Sequence, residues 1–380
     1  MESFSLLGGP LHQLGRRLGL VRGTNTVRLG LALGVGLWLI VVALALLGGT
    51  TDQVFQLSVI GGHARLLVAI PLFFMCESWV GPRMTAFVTT ILATGVVPPG
   101  AADALNVEVM RANRRANAWQ PEAACLLIAI VLAITGTRLV KYGATEVYDP
   151  ARQSLAAFIY FGVGVTVYRF LVFRWVWKLA LWSWFLWRVS RLDLHLIHAH
   201  PDRAGGLGPL DGVTERFTPL VAAHSMLQCA SLAESIATGT LVASGIFPWL
   251  TAWVMLVLLV DGALFICPLL VFTDKLWTAR TTGAGQYNRL AARYVSEFEA
   301  KWTNGPACEA SPLPGTADLF PLTSLDSSVR IVKEMRWLIV GKRQLIMLAL
   351  AAIVPFAPLL LFQYPIEQLA QKFFSKVFGF

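Results

Sequence analysis

Long apolar runs alternate with polar connections along most of this chain. Each run has about the 20 residues that a helix needs to cross a bilayer. The pattern predicts seven spans: Leu29 to Leu47, Val59 to Trp79, Glu122 to Val140, Ser154 to Val172, Phe217 to Thr238, Pro248 to Phe272 and Leu345 to Phe362. Pro71 predicts a kink in the second span, and Pro355 and Pro358 predict bends in the seventh.

The polar stretches have their own periodicity. In residues 82–118, Arg83 opens a short amphipathic piece with Met84, Phe87 and Ile91, Val97–Pro98–Pro99–Gly100 breaks it, and a second helix ends in Arg111, Arg114 and Arg115. The fourth span runs on into FRWVWKLALWSWFLW, where tryptophans mixed with Arg174 and Lys178 predict a helix emerging through the headgroup layer. Residues 274–343 form the largest insert. Tyr287, Leu290, Ala291, Tyr294, Val295, Phe298 and Trp302 recur there at helical spacing, Asn304 to Gly315 reads as a loop, and Ser324 or Asp326 is expected to cap a second helix running through Trp337. Pro365 starts a terminal amphipathic helix (Ile366, Leu369, Phe373, Phe374, Val377) expected to lie in the interface.

The expected fold class is all-α, a polytopic helical membrane protein. Residues 1–273 would form a bundle of six helices with cytoplasmic connections at 82–118 and 174–216. Residues 274–343 would form a cytoplasmic helical insert, and 344–380 the seventh span with its terminal helix.

Composition supports this: 56% hydrophobic and 14% charged residues exclude an ordinary soluble core. The net charge of +9 points to topology rather than nucleic acid, because the basic residues lie in the connections. With the N-terminus and alternate connections inside, those segments hold 24 of the 31 lysines and arginines, and the opposite side holds 6. Ala43–Leu44–Ala45 resembles a signal-peptidase site, but the long basic lead-in and full-length run predict an uncleaved first helix. Of the five cysteines, Cys76, Cys125, Cys229 and Cys267 read as small buried hydrophobes, and no CxxC or zinc framework is present.

Two places could carry chemistry. On the fifth predicted helix, His224, Gln228, Ser231, Ser235 and Thr238 share a face by steps of three and four, with Glu234 beside it. A tight hairpin would bring Asp261 of the sixth level with about Gln228. Carboxylates at that depth normally face a cavity or a partner, so the stripe suits a proton or cation path, although the same groups could simply lock helices together. The second place is Arg188 to Arg216. His195, His198, His200 and Asp202 could bind a divalent metal, and the turn His200, Asp202, Arg203, Gly205, Gly206 could cradle an anion or serve only as a glycine-rich connection. His200–Pro201–Asp202 is also the J-domain tripeptide, but Gly205–Gly206–Leu207–Gly208–Pro209 follows where a J-domain has a helix. No Walker A loop, GxSxG elbow or dinucleotide fingerprint occurs in a supporting context.

SRLDL (190–194), HPDRAGGLG (200–208), CPLLVF (267–272), ARYVSEFEAKW (292–302) and GTADL (315–319) together resemble a group of uncharacterised bacterial multi-pass membrane proteins. The resemblance covers most of the chain from about Ala156 onward. It implies a bacterial inner-membrane location and no particular mechanism; His195 and His198 depart from the group's pattern.

Three functions are compatible with this sequence. The leading one is movement of a proton, ion or small solute along His224, Gln228, Ser231, Glu234 and Asp261. The others are a membrane-embedded enzyme, with a divalent metal as the cofactor to consider, at the His/Asp/Arg turn, and a scaffold presenting the face that contains Tyr294 and Phe298. The expected partners are the lipid bilayer, an ion or small solute and a second copy of the chain, and not nucleic acid.

Overall fold

The computed structural model describes residues 4–141, 155–239, 246–302 and 316–362. The expected terminal helix, the turn near Gly245, the whole Asn304–Gly315 loop and the side chains of Arg138, Lys141, Arg152, Lys372 and Lys376 lie outside the described residues. Among those described, all regular structure is helical apart from an isolated bridge between Arg22 and Asn25.

In chain order the helices are α1 (Pro10–Arg17), α2 (Val27–Leu47), α3 (Ile70–Ala93), α4 (Pro99–Asn117), α5 (Trp119–Lys141), α6 (Val165–Ser190), α7 (Pro209–Glu215), α8 (Thr218–Ala237), α9 (Ile246–Ile266), α10 (Thr273–Trp302), α11 (Thr316–Lys333) and α12 (Lys342–Ile353). A π-helical turn, Ala64–Ala69, leads into α3, and another, Tyr160–Gly164, leads into α6. Pro71, where a kink is expected, lies at the start of α3, directly after the first of these turns.

Five helical stretches are long and apolar enough to cross a membrane: Val27–Leu47, Leu57–Ala93, Leu155–Ser190, Leu250–Ala300 and Lys342–Leu359. A sixth is the pair Pro99–Asn117 and Trp119–Thr135, bent by 41°. The expected count of seven is therefore not reached among the described residues. The missing member is the fifth expected span: α8 has the 20 residues of a span but too many polar side chains to join the apolar set.

Several boundaries also differ. The second run does not stop at Trp79 but continues through Pro82 to Ala93. An internal proline costs a helix about 3 kcal/mol, and here burial outweighs it, because Met84, Phe87 and Ile91 are all fully buried. Ser324 and Asp326 cap nothing; they lie inside α11, which ends at Lys333, leaving Trp337 outside it and exposed. Cys267 is exposed, unlike Cys76, Cys125 and Cys229. Of the tryptophans on α6, Trp175 and Trp182 are core residues, 5% and 3% exposed, Trp177 and Trp184 are half-buried, and Trp187 is exposed.

Length explains the layering. The stretches 57–93 and 155–190 hold 37 and 36 residues, roughly 55 Å each at 1.5 Å per residue, against a hydrocarbon thickness of about 30 Å. Each is longer than a single crossing needs, and their C-terminal halves pack with α4, α7 and the N-terminal segment. That segment enters the core: the Phe4 ring stacks on Phe185 with centroids 4.3 Å apart, the Phe4 carbonyl accepts from the Thr85 hydroxyl, and the Ser5 N–H donates to Asn113.

The apolar helix α2 meets α3 and its π-helical lead through small residues. A methyl on Gly34 would lie 2.3 Å from the Leu66 carbonyl oxygen, and one on Gly30 would lie 2.7 Å from Phe74 Cβ. Two glycines four apart let the backbones approach, as expected where apolar solvent gives helices no hydrophobic drive to associate. Gly34→Val is expected to cost about 1–3 kcal/mol and lower the unfolding temperature of the detergent-solubilised protein. Gly36→Val, at a position with open space, should leave it near wild type.

Candidate functional site

The polar stripe of α8 divides into two stations. In the first, His224 Nδ1 lies 3.0 Å from Asp261 Oδ1, and the Gln228 amide nitrogen lies 3.3 Å from His224 Nε2. This fits a neutral imidazole that donates from Nδ1 and accepts at Nε2; on protonation of the ring, a flipped Gln228 amide could accept instead. Asp261 sits opposite His224, one turn from the level expected at Gln228. It is 6% exposed, and its second oxygen, Oδ2, is buried without a hydrogen-bond partner. An unsatisfied carboxylate oxygen in such surroundings costs far more than a paired one, unless a proton, cation or water meets it.

The second station lies ten residues along α8, about 15 Å away. Here Glu234 Oε1 accepts the Gly61 N–H at 2.7 Å, and Arg65 Nη1 donates to the Tyr160 hydroxyl at 2.8 Å. Glu234 and Tyr168 are within electrostatic reach of Arg65. Ser231, between the stations, is exposed. The structure thus brings His224, Gln228 and Asp261 together and places Glu234 with a different set of partners.

A third cluster was not apparent from the sequence. Arg174, 1% exposed, donates from Nη1 and Nη2 to the two oxygens of Glu77 (2.9 and 3.1 Å), from Nε to Glu122 (2.7 Å) and from Nη2 to the Gly8 carbonyl (3.3 Å). Lys178 adds a 2.6 Å bond to Glu77, and the Leu11 N–H donates to Glu122. Two cations face two anions, so the cluster is neutral as a whole. The spacing of Arg174 and Lys178, four apart on a tryptophan-rich helix, was the available signal, but it also suited an interfacial helix end. Beside Glu77 and Lys178 a cavity of about 10 Å³, lined also by Leu6, Leu7 and Trp175, has room for about one water. His12, on the segment covering this cluster, is buried with Nδ1 unpartnered, and burial holds its pKa below the ordinary value despite attraction to Glu77.

The histidine-rich turn is built differently from either expectation. Asp202 aims its carboxylate back at the chain: Oδ1 accepts the Ala204 and Gly206 N–H groups, and Oδ2 accepts the Gly208 N–H at 2.8 Å. Alternate amides, of Ala204, Gly206 and Gly208, converge on an anion, and that anion is the protein's own carboxylate. Positive φ at Arg203 (54°), Gly205 (65°) and Gly206 (95°) makes the turn this tight, and a methyl on Gly206 would lie 2.3 Å from Val96. Arg336 then clamps the knot, bonding to the Asp202 carbonyl and to Asp211, while its own N–H donates to the Arg203 carbonyl.

The metal set does not assemble. His200 Nδ1 is 2.7 Å from Asp202, but the His195 side chain is exposed and His198 packs against Gly283. No group of three or more His, Cys, Asp or Glu among the described residues could hold a metal ion. The face proposed for a scaffold is likewise half-covered at Tyr294 and Phe298, along a helix that packs on α11.

Arg174→Ala would strand Glu77 and Glu122 and is expected to destabilise the protein by about 3–5 kcal/mol, seen as a large drop in the unfolding temperature. Burial alone would raise the Asp202 pKa; the three backbone N–H bonds outweigh it and hold it below the ordinary 3.8. The stability it contributes is therefore present above pH 3.8 and is lost as pH falls through the lower folded value. Melting curves of Asp202→Asn and wild type should differ at pH 7 and converge in strong acid. No family model, curated protein or solved structure matches this chain.

Proposed function

We propose that this chain is a multi-pass protein of the bacterial inner membrane, N-terminus cytoplasmic, that moves a proton or small cation along the polar face of α8 and α9. The observation that carries this reading is Asp261. It sits in a stretch of mean hydropathy 2.6, holds His224 with one oxygen and leaves the other buried without a partner. Glu108 and Asp211 also leave one oxygen buried without a partner, but each pairs its other oxygen with arginine, whereas Asp261 meets an imidazole in place of a guanidinium.

The neighbours suit proton exchange. Histidine changes protonation near neutral pH, and Gln228 can present either a donor or an acceptor to the ring. The His224 side chain is 34% exposed and Ser231 is open, so the described helices leave this face of α8 uncovered. With α8 counted as a crossing helix, the distribution of lysine and arginine supports the orientation, for even without Arg174 and Lys178, which are held in internal ion pairs, the inside segments keep 22 against 6. The likeness of HPDRAGGLG to bacterial membrane proteins supports the location.

The test is flux into liposomes carrying the purified protein, read by a pH dye and by a cation dye. Asp261→Asn preserves size and removes the charge, and it is expected to lower the wild-type rate at least about tenfold while the unfolding temperature changes little. Equal rates in the two proteins would sink the proposal.

A further inference from the structure

The two π-helical turns, Ala64–Ala69 and Tyr160–Gly164, meet: the Arg65 side chain donates a hydrogen bond to the Tyr160 hydroxyl across them. A π turn fits an extra residue into a helix and rotates the side chains around it, a distortion that recurs at functional sites. Here it holds a guanidinium inside a stretch of mean hydropathy 1.8, beside Tyr160 and within electrostatic reach of Tyr168 and Glu234. Glu234 is held in turn by the Gly61 N–H, at a position where even a methyl on Gly61 would strike its carboxylate.

We infer that Arg65 is a selectivity residue, a fixed cation at the far mouth of the path that bars metal cations, so that the cargo is the proton. The inference rests on the transport reading and narrows its substrate. A sodium or potassium ion entering at Glu234 would need oxygens to replace its hydration shell, and it would meet a carboxylate already facing a guanidinium. A proton needs neither, because it passes between a carboxylate, a tyrosine hydroxyl and water through hydrogen bonds. The other station agrees: His224, Gln228 and Asp261 form a ring nitrogen, an amide and one unpartnered carboxylate oxygen, which is a proton-exchanging set and a poor cage for a metal ion.

The experiment uses full-length protein in liposomes, with proton and sodium fluxes measured in parallel for wild type, Arg65→Gln and Arg65→Lys. Wild type should carry protons with sodium flux at the level of empty liposomes. Arg65→Gln should raise sodium flux about tenfold, and Arg65→Lys, which keeps the charge, should restore exclusion. Sodium flux in wild type, or exclusion unchanged in Arg65→Gln while it still moves protons, would overturn the inference and leave the transport reading standing. Absence of both fluxes in wild type would overturn the transport reading and the inference with it. If Arg65→Gln carries neither ion while Arg65→Lys carries protons, Arg65 serves folding or proton passage rather than selectivity, and the inference fails.

Discussion

The guanidinium of Arg174 joins four parts of the chain that are far apart in sequence. From α6 it reaches Glu77 on α3, Glu122 on α5 and the Gly8 carbonyl of the N-terminal segment. A guanidinium has five N–H donors in a rigid fork, so it can satisfy several acceptors without water, which a lysine ammonium does less well. Burying such a charge is costly unless every neighbour is paired, and that requirement fixes where α3, α5 and α6 must stand relative to one another. Glu77 lies 20 residues beyond Leu57, about 30 Å of helix, so the cluster sits where an apolar slab starting at that end would finish.

That position gives the molecule its two layers. On one side of the cluster, helices pack through small residues and isolated polar pairs; on the other, the C-terminal halves of α3 and α6 pack with α4, α7 and the segment from Phe4. The Asp202 knot completes the second layer by holding the chain between α6 and α7 against Arg336, just before α12. A tight turn of this kind leaves backbone N–H groups pointing inward, and a buried N–H needs an acceptor. Asp202 supplies it, which accounts for the aspartate and glycines of HPDRAGGLG without any external anion.

The same accounting separates the carboxylates by role. Glu77 and Asp202 have both oxygens engaged and act as fasteners. Glu108 and Asp211 each leave one oxygen buried without a partner but pair the other with arginine; Asp261 leaves one oxygen unpartnered and sets the other on an imidazole, with no guanidinium bonded to it to offset its charge. The contrast was invisible in the sequence, where Asp202 beside three histidines stood out more strongly than a lone aspartate in an apolar run.

The sequence by itself determined the helical class, the apolar stretches and which residues share a face, because helix geometry repeats every 3.6 residues and burial writes that period into the chain. It placed His224 and Gln228 on one side of α8 and made Asp261 an anomaly worth following. Only the tertiary structure decided partners. It paired Asp261 with His224 rather than Gln228, sent Glu234 to Gly61 near Arg65, buried Arg174 and Lys178 in ion pairs with Glu77, and carried α3 through Pro82. The physical reason is that local pattern records how much of a residue is buried and on which face. Which group meets it there depends on contacts a hundred or more residues away, such as Glu77 with Lys178, which no period along the chain encodes.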